Sequence, residues 1–333
     1  MRVVLFGSGS PVSLAALEAV AASVVAVVVP RGGRVRGARS AARALGRWRG
    51  SRGLAAAAGR RGIPVFRHGP GADAELLADL RRLEPDLACV GTYPCLLSTA
   101  LLAVPRRGTV GLHPSLLPRH RGPAPLFWTY FHDDAEAGLT VHWLDAGEDT
   151  GDVIAQERIP LVRGRPGADL YAEIARRGAA LLVRSFPEIE AGTAPRVPQD
   201  LSGVTREPAP ESGGWAIDFE AWGAERVWHF LRGVSGMGRH AVTPLPDGRV
   251  IHHGAVRGWR LEPQPGRSGT MERVAGGWRL LCRDGVVELD AASPATRAWW
   301  TVRRLAAFAR GRPAGPSPRR RAAAERTGTR SSA

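Results

Sequence analysis

The sequence predicts an α/β protein: a mostly parallel sheet with helices on both faces, followed by a smaller β-rich C-terminal domain. Three observations predict it. Short runs of branched apolar residues alternate with helix-patterned segments through the first half of the chain. Runs such as Val24 to Val29 are apolar throughout rather than alternating, as strands covered on both faces are. Beyond residue 214 the pattern changes to short strands punctuated by glycine.

Arg2 to Phe6 is a β-rich run, Gly7 to Pro11 a turn, Ser13 to Ala22 an Ala- and Leu-rich helix, and Val24 to Val29 a buried strand. Arg31 to Arg61, rich in Arg, Ala and Gly, reads as a loop with helical pieces. Pro64 to Phe66, Asp86 to Val90 and Val110 to Leu112 are short strands, and Asp73 to Arg82 is a helix. Leu139 to Leu144 and Val153 to Leu161 are strands, and Ala168 to Ala191 is a long amphipathic helix. The Pro-, Gly-, Ser- and Thr-rich stretch 192–214 reads as a linker between a first domain, 1–191, and a β-rich, open-barrel-like domain, 215–310. Within the latter, Trp215 to Phe219 is expected as a strand and Glu225 to Gly233 as a helix. The tail 311–333 is Arg-, Pro- and Ser-rich and is expected to be disordered.

Composition narrows the function classes. No apolar stretch reaches the 18 residues that a membrane span needs, and the opening residues lack a signal-peptide pattern. Cys89, Cys95 and Cys282 have neither metal-ligand spacing nor a number that suits a disulfide framework. A cytoplasmic protein with no resident metal and no membrane partner is expected. The net charge of +15 invites phosphate partners. However, all 46 basic residues are arginine and the chain has no asparagine, the mark of a GC-rich coding bias that raises charge without a partner. DNA binding is not expected.

Gly7-Ser8-Gly9 after the first strand resembles a dinucleotide turn, but Val12 stands where the third glycine of that fingerprint belongs. The informative stretch is residues 108–125. A short strand delivers His113 to its C-terminal end, where open α/β sheets place ligands, and Ser115, Leu116, Leu117 and Pro118 form a loop. A second constellation runs from His142 through Asp145, Gly147 and Asp149 to Asp152, a strand entering an acidic, Gly-containing loop. A histidine at one strand end and an aspartate on a neighbouring loop suit general acid–base chemistry. His142 itself reads as structural within its strand, His120 as an exposed loop residue, and Trp128 as core.

Both stretches resemble the formyltransferases that use 10-formyltetrahydrofolate, whose loops read Asn-x-His-x-Ser-Leu-Leu-Pro and Leu-Asp-x-Gly. The segment after the linker, with Ile217-Asp218-Phe219 and the helix from Val227 to Val234, is similar to the C-terminal domain of methionyl-tRNA formyltransferases. The resemblance implies a Rossmann-like formyltransferase fold, His113 as catalytic imidazole and Asp149 as its carboxylate. It implies folate contacts from Val90, Gly91, Tyr93 and Leu96 and from Asp145, Gly147 and Asp152. Ser115 to Pro118 would support the loop, and Arg119 and Arg121 would meet the amine substrate.

One position departs from the family pattern: its Asn, two residues before the His, is Gly111 here. Losing an oxyanion donor costs about a hundred- to a thousandfold in rate. A slow enzyme with a replacement donor, altered chemistry, and a relative that binds folate or RNA without turnover all stay open. For the acceptor, Arg121 to Trp128 resembles amino-sugar formyltransferases, which implies a small-molecule amine. The alternative is methionyl-tRNA, supported by the C-terminal resemblance and by the insertion carrying Arg34, Arg36, Arg39, Arg43, Arg47, Arg49 and Arg52.

Overall fold

The computed structural model describes residues 1–31, 53–69, 73–210, 215–235, 242–245, 250–263 and 266–292. The arginines of the insertion from Arg34 to Arg52, and the tail 311–333, lie outside them. The chain divides into two compact units: one runs in outline from Met1 to Gly213, and the other takes Arg163–Gly167 and the chain from Gly214.

In the first unit, β1 (Val3–Gly7), β2 (Val24–Pro30), β3 (Val65–His68), β4 (Leu87–Gly91), β5 (Thr109–His113), β6 (Glu136–Trp143) and β7 (Val153–Pro160) form one sheet in the order β3-β2-β1-β4-β5-β6-β7. β1 to β5 are parallel, while β6 and β7 are antiparallel to their neighbours. The apolar runs explain the central strands: every residue of β1 is buried, as are Ala26, Val27, Val28 and Val29 of β2. Each fully buried Val or Leu contributes about 1.5–3 kcal/mol.

The strand order reverses between β1 and β4, the switch point at which such sheets open a crevice. There Ser10 caps α1 (Pro11–Val20) by accepting from Ser13 N (3.1 Å), and its hydroxyl also meets Thr92 Oγ1 (2.5 Å). Further helices are α2 (Asp73–Leu83), α3 (Thr99–Leu102), α4 (Pro125–Phe131) and α5 (Gly167–Ala191). Trp128 is buried in α4, as expected.

The described part of the stretch read as a linker does not behave as one. Val197 exchanges both backbone hydrogen bonds with Val153 (2.8 and 3.1 Å). Arg121 N donates to Thr205 O (3.0 Å), and Trp128 Nε1 to Pro208 O (3.0 Å). Proline and glycine removed the periodicity but not the backbone groups that need partners, and these are found on the first unit.

In the second unit, α6 (Ala224–Ser235) precedes β8 (Val242–Pro244), β9 (Val250–Leu261), β10 (Met271–Val274), β11 (Gly277–Cys282) and β12 (Gly285–Ala291). These strands form an antiparallel sheet in the order β10-β11-β12-β9-β8. Val227, Phe230, Leu231 and Val234 give α6 a buried face. Trp215 to Phe219 is not a strand: Ile217 and Phe219 are buried, while Asp218 Oδ1 accepts from Glu220 N and Ala221 N (3.1 and 3.0 Å) and closes a turn.

Candidate active site

β5 ends at His113, and Asp149 sits in the loop joining β6 to β7. His113 Nδ1 lies 3.4 Å from Asp149 Oδ1, and its Nε2 lies 2.9 Å from the carbonyl oxygen of His120. The second contact assigns a proton to Nε2, so Nδ1 is the nitrogen that works against Asp149. The other oxygen of Asp149, Oδ2, accepts from Gly122 N (2.8 Å), and Asp149 itself adopts a left-handed backbone, φ 57°. That conformation is uncommon for a residue with a side chain and turns the carboxylate back toward β5.

The loop after His113 is fastened from inside. Ser115 Oγ donates to Arg119 O (2.7 Å), Thr140 Oγ1 donates to Ser115 O (2.7 Å) and accepts from Leu117 N (3.1 Å), and Gln156 Nε2 donates to Leu117 O (2.7 Å). Leu116 covers Gly138, where a Cβ would come within 2.4 Å of it. Leu117 is buried and joins Pro118 through a cis peptide bond.

Around the acidic loop, Asp145 Oδ1 accepts from Gly147 N (2.9 Å) and Thr150 Oγ1 (2.5 Å), and the Asp152 carbonyl accepts from Trp143 N (2.8 Å). These aspartates shape the turn. A Cβ on Gly151 would fall 2.0 Å from the Trp143 carbonyl oxygen, which fixes glycine there. On the other side of β5, Val90 and Gly91 end β4. Tyr93 stacks on His68 and its hydroxyl meets His68 Nδ1 (3.1 Å), and Leu96 is 65% exposed.

Several groups stand elsewhere than the sequence indicates. Arg121 is buried and gives both Nε and Nη2 to Gln199 Oε1 (3.1 and 2.7 Å), and Arg119 reaches Asp134 (2.6 Å). Arg121 is thus committed within the protein, whereas the Arg119 side chain keeps half of its surface exposed beside Asp134. His120 is not an exposed loop side chain. It is 3% exposed, with Nε2 2.6 Å from Asp134 Oδ2 and Nδ1 3.0 Å from Glu207 Oε2. Burial pulls its pKa down, but the two carboxylates outweigh burial and hold it above the usual histidine value. His132 Nε2 joins the same Glu207 (2.7 Å). His120, His132 and Glu207 are close enough to share a metal ion, but here each histidine bonds directly to Glu207.

Gln199 and Glu207 are absent from the sequence-based site because nothing in a Pro-rich stretch marks them. His142, a structural residue by its sequence context, places its Nε2 3.9 Å from the same Asp149 Oδ1 that faces His113. A cleft of about 470 Å³ opens beside the loop, lined in part by Leu116, Arg119, Asp134 and Gln156. Neither His113 nor Asp149 lines it, so it is not where these two residues meet a substrate.

The formyl transferase family matches residues 1–186, more than half of the chain. A methionyl-tRNA formyltransferase of Symbiobacterium thermophilum is 34% identical over 248 residues, covering 71% of this chain and 72% of that one. The chain belongs to the formyl transferase family. A second relative, the methionyl-tRNA formyltransferase of Moorella thermoacetica, is 34% identical over 64% of this formyltransferase and 67% of its own length. Among solved structures, an N-formyltransferase from Helicobacter canadensis, crystallised with folinic acid and dTDP-3-aminofucose, superposes with a TM-score of 0.62. It is 15% identical and covers 87% of this chain and 99% of its own, a likeness of fold. The expected Rossmann-like fold with a smaller antiparallel C-terminal sheet is what the formyltransferase adopts. HypX from Aquifex aeolicus, solved with tetrahydrofolic acid, shares the fold with a TM-score of 0.55 at 17% identity, over 87% of this chain and 43% of its own. Among the described residues no helix is long and apolar enough to cross a membrane.

Proposed function

We propose that this formyltransferase moves a formyl group from 10-formyltetrahydrofolate to a primary amine of a small molecule, with His113 and Asp149 as its proton-handling pair. The 3.4 Å approach of His113 Nδ1 to Asp149 Oδ1 at the end of β5 carries the reading. Bound formyl-folate supplies the activated carbonyl carbon and a leaving nitrogen that needs a proton. Asp149 orients the His113 ring, whose Nδ1 would deliver the proton that this nitrogen needs. The carbonyl of His120 fixes the ring from the other side. The exposed Leu96 offers an apolar surface to a flat ring, and with Asp145 occupied in its own turn, the 145–152 segment would meet that ring through backbone groups, near Val90, Gly91 and Tyr93.

A small-molecule acceptor is supported by three arginines among the described residues of the second unit, which already have carboxylate partners. Arg257 pairs with Asp290, Arg260 with Glu262 and Glu288, and Arg279 with Glu262. Cations already neutralised by carboxylates release few counterions on meeting phosphates and contribute little to gripping a tRNA. A second reading, methionyl-tRNA as acceptor, is favoured by the relatives of that name, whose match runs longer than the first unit alone.

Tetrahydrofolate release from 10-formyltetrahydrofolate, measured with amino sugars, nucleotide-linked amino sugars and methionyl-tRNA, decides between them. Turnover with a sugar amine that changes little between about 50 and 200 mM salt is the expected result. Turnover restricted to methionyl-tRNA and falling steeply with salt would transfer the assignment to tRNA, and silence with every amine would overturn the acceptor class.

A further inference from the structure

We propose that His142 is a catalytic residue of this formyltransferase: its Nε2, standing over Gly111, takes the proton that leaves the attacking amine. The inference rests on the amine-acceptor reading above. Gly111 and His142 are direct partners in the antiparallel register of β5 and β6. A Cβ placed on Gly111 would lie 2.8 Å from His142 Nε2, 3.3 Å from His142 Cε1 and 2.5 Å from Leu144 Cδ1. The imidazole therefore fills the space that a side chain at position 111 would need.

The ring's hydrogen bonding fixes which nitrogen is bare. His142 Nδ1 faces the carbonyl oxygen of Trp143 at 2.9 Å, an acceptor, so Nδ1 carries the hydrogen. Burial, and after it the charge of the neighbouring His113, push the His142 pKa down to about 4, while Asp149 and Asp145 pull the other way. The ring is then neutral, and Nε2 presents a lone pair. Among the described residues Nε2 has no hydrogen-bond partner, and Asp149 Oδ1, 3.9 Å away, is itself an acceptor. Two acceptors that converge without a donor between them suit an incoming N–H, and a primary amine brings one.

The substitution at position 111 is thus not like for like. An amide there would donate to the developing oxyanion, whereas a bare imidazole nitrogen accepts. The site gains a base at the place where the family keeps a donor, and its two histidines divide the work. The amine lone pair forms the new N–C bond to the formyl carbon while the carbonyl π pair moves to oxygen. His142 Nε2 takes a proton from that nitrogen. As the oxygen pair restores the carbonyl, the old C–N bond breaks, and His113 Nδ1 supplies the proton its nitrogen needs. One proton has then moved from His113 to His142, and Asp149 Oδ1, which faces both rings, is the relay that returns it.

The test uses the full chain with the amine that turns over. His142→Ala is expected to lower kcat about a hundredfold with KM for 10-formyltetrahydrofolate within about threefold. His142→Gln fills similar space and keeps a polar end but cannot accept a proton, so it too is expected to stay about a hundredfold slow. Wild-type kcat in either variant would overturn the proposal, since filling space or positioning Asp149 is then all that His142 does. A second measurement stands apart from turnover: long-range 1H–15N spectra of histidine-labelled protein at neutral pH. They are expected to show His142 protonated on Nδ1 alone. If no amine is accepted, the acceptor reading fails, and this spectrum still decides His142: a hydrogen on Nε2 would overturn the assignment.

Discussion

The side-chain amide of Gln199 donates to the carbonyl oxygen of Asp149 at 2.9 Å and to that of Gly151 at 2.7 Å, while its oxygen accepts from buried Arg121. One neutral side chain thus fastens the loop that carries the candidate carboxylate. Gln199→Ala strands two carbonyls and a guanidinium, and a loss of about 2–3 kcal/mol in urea unfolding is expected. Because Asp149 then loses its fixed position against His113, kcat falls about tenfold or more even below the unfolding transition.

Asp149→Asn separates charge from shape. The amide oxygen still accepts from Gly122 N, so the thermal midpoint is expected to move little. Steady-state assays are expected to show kcat reduced about a hundredfold or more, because a neutral group no longer assists proton transfer at His113 Nδ1.

Placing an asparagine at position 111 is expected to harm the enzyme. The new Cβ would meet Leu144 Cδ1 and His142 Nε2 inside the closest distances that side chains tolerate. Gly111→Asn is expected to cost about 1–3 kcal/mol of stability and to slow turnover rather than speed it. Calorimetry and initial rates on the same preparation check both.

The His120 network ties stability to pH. The folded-state pKa of His120 is raised by Asp134 and Glu207 against its burial, so its stabilisation is full below the unfolded value of about 6.5. It is lost as pH climbs through the higher folded value. Thermal midpoints are therefore expected to decline as pH rises beyond about 6.5, and His120→Gln is expected to flatten that decline.

Much of the first unit was legible because its strands are unbroken apolar runs, and β1, β2, β4 and β5 appear within a residue or two of where those runs lie. The approach of His113 to Asp149 was legible because the motifs that carry them are local in sequence. The placement of His142 opposite Gly111 was not: which residue faces Gly111 depends on the β5–β6 register, and a periodic pattern in one strand carries no record of its partner. Residues 192–210 failed for a related reason. Gln199 and Glu207 act through contacts with residues tens of positions away, and proline-rich composition signals only the lack of a helix or strand. Trp215 to Phe219 has the residues of a strand, but its side chains are buried without a ladder.

The fastening by Gln199 and Glu207 also has a consequence for synthesis. A nascent chain that has reached Ala191 already contains all seven strands of the first sheet, with His113, His142 and Asp149 in place along the chain. It does not yet contain the amide that holds Asp149 or the carboxylate that holds His120. On the ribosome the sheet can therefore form before these loops are secured, and a fragment ending at Ala191 would keep the strands while lacking the residues that hold Asp149 and His120.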